Sequence, residues 1–376
     1  MNRLLVFTSA VVFVDTLFYA ALTPLLPHYV HTLHISKTGA GVLAAAYPAG
    51  TFLGAVPSGI VASRIGVKPT VVAGMSTVAV CIVVFGIGTH AWELDAARFL
   101  QGFAGAFSWT GALAWLVAGS PAERRGSLIG RAFAIAVAGA LFGPVLGGVA
   151  SVLGIGWTFG AIGVASLGLA GAAVLIPGQR RESPQGPDVL ARALGDDRVQ
   201  AAAWFVVLPA LLFGALAVLA PLRLSHLGFG SVAIGAVFLC SAAVEGTNNV
   251  LVGHAIDRNG PRRALLYGLV GSALVAALLP WPADPYVLAV LVVCGGLAFG
   301  TFYTPGMTLL SHLSEERGVD QGYTFALVSL VWAPGQTLGA AGGGALAHAT
   351  ADAVTYLLLA VICAVTLIRL AVASRA

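Results

Sequence analysis

Apolar residues in this chain run for some twenty positions at a time, and short polar clusters separate the runs. Within a run neither the alternation of a half-buried strand nor the single apolar stripe of a surface helix is present, so each run reads as a helix apolar on every side. Crossing the hydrocarbon core of a bilayer takes about 20 helical residues. Runs of that length fall at 4–30, 38–62, 69–89, 91–119, 127–152, 156–177, 200–222, 230–256, 264–282, 285–312, 321–348 and 352–373. The expectation is an all-α polytopic membrane protein with twelve transmembrane helices. The N-terminal run exceeds the apolar core of a removable signal peptide and lacks its cleavage site, so it is expected to be the first span.

Composition agrees with the pattern. Of 376 residues, 58% are hydrophobic and 9% charged, with mean hydropathy +0.93; a soluble domain carries about 25% charged residues. Glycine occurs 48 times, which suits helices whose backbones approach closely in lipid. The net charge of +4 gives no reason to expect a nucleic-acid partner. Cys81, Cys240, Cys294 and Cys363 lie in four separate runs without CxxC spacing, so neither a disulfide nor a metal site is expected.

Two features set the organisation. A polar stretch at 178–199 follows the sixth run and divides the chain into halves of six helices, 1–177 and 200–376, with 178–199 as a surface linker. Of nineteen basic residues, Lys37 and Arg223 fall on one side and Arg98 within a run. The rest, Arg124, Arg125, Arg180, Arg181 and Arg375 among them, share the side of both termini, which places that side in the cytoplasm of a multi-pass plasma-membrane protein. The halves also repeat. GIVASRIGVKPTVVAG (59–74) aligns without gaps to GHAIDRNGPRRALLYG (253–268), pairing Gly59, Arg64, Gly66 and Lys68 with Gly253, Arg258, Gly260 and Arg262. A second echo sets Gly143 and Gly147 opposite Gly335 and Gly339. Parallel repeats of this kind build transporters with a midplane site between the halves.

The motifs carry a resemblance. GIVASRIGVK resembles the loop between helices two and three of the major facilitator superfamily, with Ser63 at its acidic position; the second copy keeps the acid as Asp257. ARFLQGFAGA, with Arg98, Gln101, Gly102 and Gly105, is similar to a helix-four signature of the superfamily. GALFGPVLGG, with Gly139, Gly143, Pro144, Gly147 and Gly148, is similar to its helix-five antiporter motif. Asp15, Pro24 and Pro27 resemble the first helix of vesicular monoamine transporters and their bacterial drug:proton relatives. The resemblance implies two pseudo-symmetric six-helix bundles and export, with the aspartate binding a cationic amine or exchanging protons, and with the helix-two/three loop gating the cytoplasmic face.

A buried charge is expensive, about 2.5–3.5 kcal/mol on insertion scales, and such residues usually serve transport. Asp15 lies about twelve residues into the first helix, roughly 17 Å deep. It reads as a site for proton or cation, or as a structural carboxylate; Tyr19 shares its face. Glu245 is the other acid near the midplane, a candidate for proton coupling, with Asn248 and Asn249 extending its polar face. Arg98 anchors helix one, as the resemblance implies, pairs electrostatically with Asp15, or makes a purely structural bond. Trp109, Trp115, Tyr303 and Trp332 are candidate cavity walls for an organic cation, or packing residues. His28, His31 and His34 read as a wet cluster rather than a metal site.

The function these readings favour is a proton-coupled antiporter exporting lipophilic or cationic small molecules by alternating access. The alternative is an importer or facilitator of a sugar or other neutral metabolite. The partners expected are a small-molecule substrate, protons and the lipid bilayer, with the protein a monomer and without a cofactor. An enzyme is not expected, since no HExxH, paired-aspartate or Ser/His constellation falls at membrane depth, and no GxxxxGK[ST] supports an ATP-driven pump.

Overall fold

The computed structural model describes residues 2–120, 125–178, 186, 188–319 and 321–372. Arg124, Arg180, Arg181, Arg375 and the side chains of Arg125 and Asp257 lie outside the described residues, as does part of the linker. The described residues are helical nearly throughout: α1 (Asn2–Thr32), α2 (Lys37–Arg64), α3 (Val67–Ile87), α4 (Ala91–Ala118), α5 (Arg125–Leu153), α6 (Ile155–Leu175), α7 (Asp188–Leu194), α8 (Asp197–His226), α9 (Ser231–Asn259), α10 (Arg262–Leu278), α11 (Pro285–Glu316), α12 (Gln321–Thr337), α13 (Gly343–Ala349) and α14 (Asp352–Val372). A π-helical turn, Leu338–Gly342, joins α12 to α13, so these form one crossing. Twelve crossings result, matching the apolar runs within a few residues.

Among the described residues nine helices are long and apolar enough to span a membrane on composition alone. The three crossings outside that set have visible causes. Helix α4 carries Glu93, Asp95, Arg98 and Gln101; α10 has 17 residues; and α12, also of 17, meets the π turn. The linker is not wholly a surface connection either. Leu190 and Ala193 of α7 are buried with Val199, Leu310 and Tyr323, so a short amphipathic turn seals one end of the second half.

Both halves are built on close helix pairs. In the first, α1 lies along α5 and α2 along α4; in the second, α8 lies along the α12–α13 crossing and α9 along α11. Glycine makes these approaches possible. A Cβ on Gly139 would stand 2.5 Å from the Phe13 carbonyl, on Gly143 2.7 Å from that of Leu17, and on Gly147 2.3 Å from that of Ala21. The echo in the second half does the same: Gly335 and Gly339 would meet the carbonyls of Val207 and Leu211 at 2.4 and 2.1 Å. Gly148 instead faces Val232 of α9 across the halves. Any larger residue at these seams forces the backbones apart, at a cost of about 1–3 kcal/mol.

The repeated loops share one device. Gly66 and Gly260 have φ of +116° and +74°, a conformation that side chains resist, and each stops one helix so the next can turn back. Ser63 spends its hydroxyl on the Ile60 carbonyl of its own helix at 2.9 Å. Lys68 donates to the Val174 carbonyl at 2.5 Å, tying α3 to the end of α6. Arg64 and Arg258 are exposed.

On the face opposite the termini the halves are in contact. Lys37 pairs with Asp352 at 2.5 Å, a Cβ on Gly41 would meet the Ala340 carbonyl at 2.5 Å, and one on Gly235 the Pro144 carbonyl at 2.6 Å. Between the halves below this seam is a cavity of about 310 Å³.

Candidate functional site

Asp15 is fully buried, and its surroundings explain how a carboxyl group is kept there. Tyr47 of α2 donates its hydroxyl to Oδ2 at 2.5 Å, and Trp109 of α4 donates its indole N–H to the same oxygen at 3.0 Å. Helices α2 and α4 deliver both donors because they touch backbone to backbone. A Cβ on Gly102 would lie 1.9 Å from the Tyr47 carbonyl, and one on Gly50 1.9 Å from that of Phe99. Gly105 leaves the space that the carboxyl group fills: a Cβ there would stand 3.0 Å from Oδ1 and 3.3 Å from the Tyr47 hydroxyl. Among the described residues neither Oδ1 nor the Gln101 amide nitrogen has a hydrogen-bond partner at normal distance.

Arg98 does not form an ion pair with Asp15. Its guanidinium donates to the carbonyls of Phe18 and Tyr19, at 3.4 and 3.1 Å, and to Gln101 Oε1 at 2.9 Å. It also lies over the rings of Phe18, Tyr19, Tyr47 and Phe85, 5.2–5.9 Å from their centroids. The charge is thus dispersed among aromatic faces and α1 backbone, which anchors α1 one turn before Pro24. Its contacts run to the α1 backbone and to Gln101, and no direct Arg98–Asp15 bond accompanies them.

The cavity is walled by both halves. Tyr19, Thr23, Arg98 and Pro144 line it from the first; Phe213, Phe238, Glu245, Tyr303, Trp332 and Gln336 line it from the second. Tyr19 bridges them, its ring centroid 4.7 Å from Tyr47 and 5.9 Å from Trp332. Glu245 is admitted by a missing side chain on α11, since a Cβ on Gly300 would stand 2.7 Å from its Cγ. Among the described residues no hydrogen-bond donor holds its carboxyl oxygens at close range except through Asn249 beside it. Asn248 and Asn249 face α11 more than the cavity: Asn248 donates to Thr301 at 2.8 Å, and Thr304 donates to Asn249 at 2.9 Å.

Tyr303 and Trp332 therefore stand where a cavity wall was expected, while Trp109 reaches Asp15 instead and Trp115 is buried against Phe7. Asp15 and Glu245 are not brought together: one lies behind the aromatic wall, the other in front of it. Tyr47, Phe213, Phe238 and Gln336 escaped the sequence reading. A lone phenol in the small-residue run AAAYPAG, and a glutamine within an apolar run, were the available signals.

Two six-helix halves closing on a midplane cavity, with one acid inside and another sealed behind it, define a membrane transporter. The chain belongs to the Major Facilitator Superfamily, whose family model matches residues 8–318 and again 203–375. It is 25% identical over 352 residues to Multidrug resistance protein 2 of Bacillus subtilis (strain 168), covering 89% of this chain and 86% of that one. It is also 25% identical over 374 residues to the Staphyloferrin B transporter of Staphylococcus aureus (strain NCTC 8325 / PS 47), covering 92% and 86%. Among solved structures it resembles a bacterial homolog of the human lysosomal transporter Spinster in an inward-facing and occupied conformation, with TM-score 0.79, 16% identity and coverage of 100% and 97%. The nucleoside transporter NupG gives TM-score 0.76 at 15% identity, covering 99% of each chain.

Proposed function

We propose that this transporter is a proton-coupled antiporter that exports lipophilic organic cations across the plasma membrane by alternating access, with its termini in the cytoplasm. The observation that carries the reading is Glu245 standing in a cavity walled by Tyr19, Phe213, Phe238, Tyr303 and Trp332. Aromatic faces attract a cation through their quadrupoles, and one carboxylate supplies the opposite charge. An unpaired carboxylate in that apolar space is costly, so a proton occupies Glu245 when no cation does. Mutual exclusion of proton and cation is an exchange mechanism. The multidrug resistance relatives are consistent with such a substrate.

Asp15 then serves coupling rather than contact. Protonating it weakens its bonds to Tyr47 and Trp109. The Tyr47 ring lies tilted against Tyr19, and Tyr19 meets Trp332 of the other half, so the charge on Asp15 is transmitted to the contact between the halves. The test is accumulation of a fluorescent organic cation in proteoliposomes under an imposed pH gradient. Uphill accumulation that collapses with a protonophore is the expected outcome. Gradient-independent movement of a neutral solute, with no cation moved, would show a facilitator instead.

A further inference from the structure

Away from the central cavity, a groove of about 580 Å³ opens on the outer surface of the helices. Val42, Ala45, Ala46 and Ala49 of α2 form one wall, Asp95, Ala96, Phe99 and Leu100 of α4 the other, and Ala341 of the π turn closes one side. Its layout follows the membrane normal. Both α2 and α4 begin on the face opposite the termini, so at 1.5 Å per residue Asp95 lies about 6 Å below the start of α4 and Ala49 about 18 Å below the start of α2. The acid is at the top of the groove, and everything beneath it is apolar.

An acid on an outward-facing groove runs against the usual rule that intramembrane acids turn toward the bundle interior and pair there. Asp95 is half-buried, and among the described residues it makes no hydrogen bond or ion pair. Its neighbour Glu93 already caps α4, accepting from the amides of Thr89 and His90 at 2.8 and 3.0 Å, so capping does not account for Asp95. A headgroup cation at interfacial depth above an acyl chain lying along Ala45, Ala49, Phe99 and Leu100 matches this order of charge and hydrocarbon.

We infer that the α2–α4 groove is a binding site for a phospholipid with a primary ammonium headgroup, its ammonium on Asp95 and one acyl chain in the trough. The position gives the lipid a role. Gly41, one residue before Val42, lies against Ala340 and Ala341, so the lipid borders the seam that closes this face and favours the closed arrangement. A primary ammonium offers three hydrogen-bond donors, while a choline headgroup has the charge and none of them.

Native mass spectrometry of detergent-extracted protein titrated with phosphatidylethanolamine, phosphatidylcholine or phosphatidylglycerol tests the site. Wild-type protein should retain phosphatidylethanolamine at least about threefold over the other two, the scale of one exposed charge pair. Asp95→Asn should lose that preference, and Asp95→Glu should restore part of it, which separates a lost headgroup contact from a misfolded variant. Equal retention of the three lipids by wild-type protein, or a preference that survives Asp95→Asn, would overturn the proposal. So would retention of a tetraphenylphosphonium probe that is lost in Asp95→Asn, without retention of phosphatidylethanolamine, since the occupant of the groove would then be a lipophilic cation.

Discussion

Each half carries one acid near the middle of its helices, Asp15 and Glu245, in places that symmetry does not relate. Extending the offset that pairs Gly59 with Gly253 sets Thr51 opposite Glu245 and Tyr47 opposite Ser241. In the first half Thr51 bonds the carbonyls of Tyr47 and Gly102, at 3.1 and 3.3 Å, and helps to fix α2 on α4. In the second half the same position carries a carboxyl group that opens into the cavity. Asp15 is instead on α1 and is closed off by Tyr47, the residue whose counterpart Ser241 bonds the Val292 carbonyl. One repeated architecture thus holds a sealed acid with two donors and an open acid with room in front of it. Burial against two fixed donors on one oxygen suits a switch, and exposure to a cavity suits a ligand.

Neutralising each acid in turn separates the two roles with the largest effect. Glu245→Gln removes one partner of a desolvated charge pair and should weaken cation binding by about 10²-fold. Asp15→Asn should leave binding within about threefold while abolishing gradient-driven accumulation. Equilibrium binding of a fluorescent cation to purified variants measures the first effect and proteoliposome uptake the second. The reverse assignment, binding lost in Asp15→Asn and kept in Glu245→Gln, would exchange the two roles.

The glycines behind the acids give a smaller, paired effect. Gly300→Ala places a Cβ 2.7 Å from Glu245 Cγ, and Gly105→Ala one 3.0 Å from Asp15 Oδ1. Overpacking of this kind costs about 1–3 kcal/mol. Gly300→Ala should therefore weaken affinity by about tenfold, and Gly105→Ala should lower accumulation with affinity preserved, both read in the same two assays. Tyr47→Phe, which removes one donor from Asp15 and keeps the ring on Tyr19, should reduce coupled accumulation about fivefold, the scale of one hydrogen bond. Passive exchange should be unaffected by it.

The smallest effect concerns the repeated loop. Because Ser63 bonds its own helix, the first copy lacks the full negative charge that a helix N-terminus would attract, worth about 0.3–1 kcal/mol. Ser63→Asp should shift the population by about two- to fivefold toward states closed at the terminal face. Distance distributions between spin labels placed across that face would show it; an unchanged distribution would remove the loop from the gate.

What the sequence displayed and what it hid follow from the range of the interactions involved. Each span shows itself because lipid imposes an apolar run of fixed length, and the glycine echo shows itself because close approach leaves only one residue type at each contact. The π turn at Leu338–Gly342 was not visible: it lies in a run of small residues that reads as plain helix. Asp15 announced itself by its cost, but not whether it faces cavity or protein. That depends on Tyr47 and Trp109, 32 and 94 residues away, brought in by α2–α4 packing that no local pattern encodes. Tyr47 was missed for the same reason, and the sequence did not distinguish a cavity wall from the Asp15 partner that Trp109 is.

In the proposed mechanism cation and proton compete at Glu245 while Asp15 acts from behind the wall. Calorimetry of cation binding in two buffers of different ionisation enthalpy counts the protons released and tests it most directly. Wild-type protein and Asp15→Asn should both release protons on binding, and Glu245→Gln, where residual binding is measurable, should release none. Proton release that persists in Glu245→Gln and disappears in Asp15→Asn would contradict the account and make Asp15 the shared site.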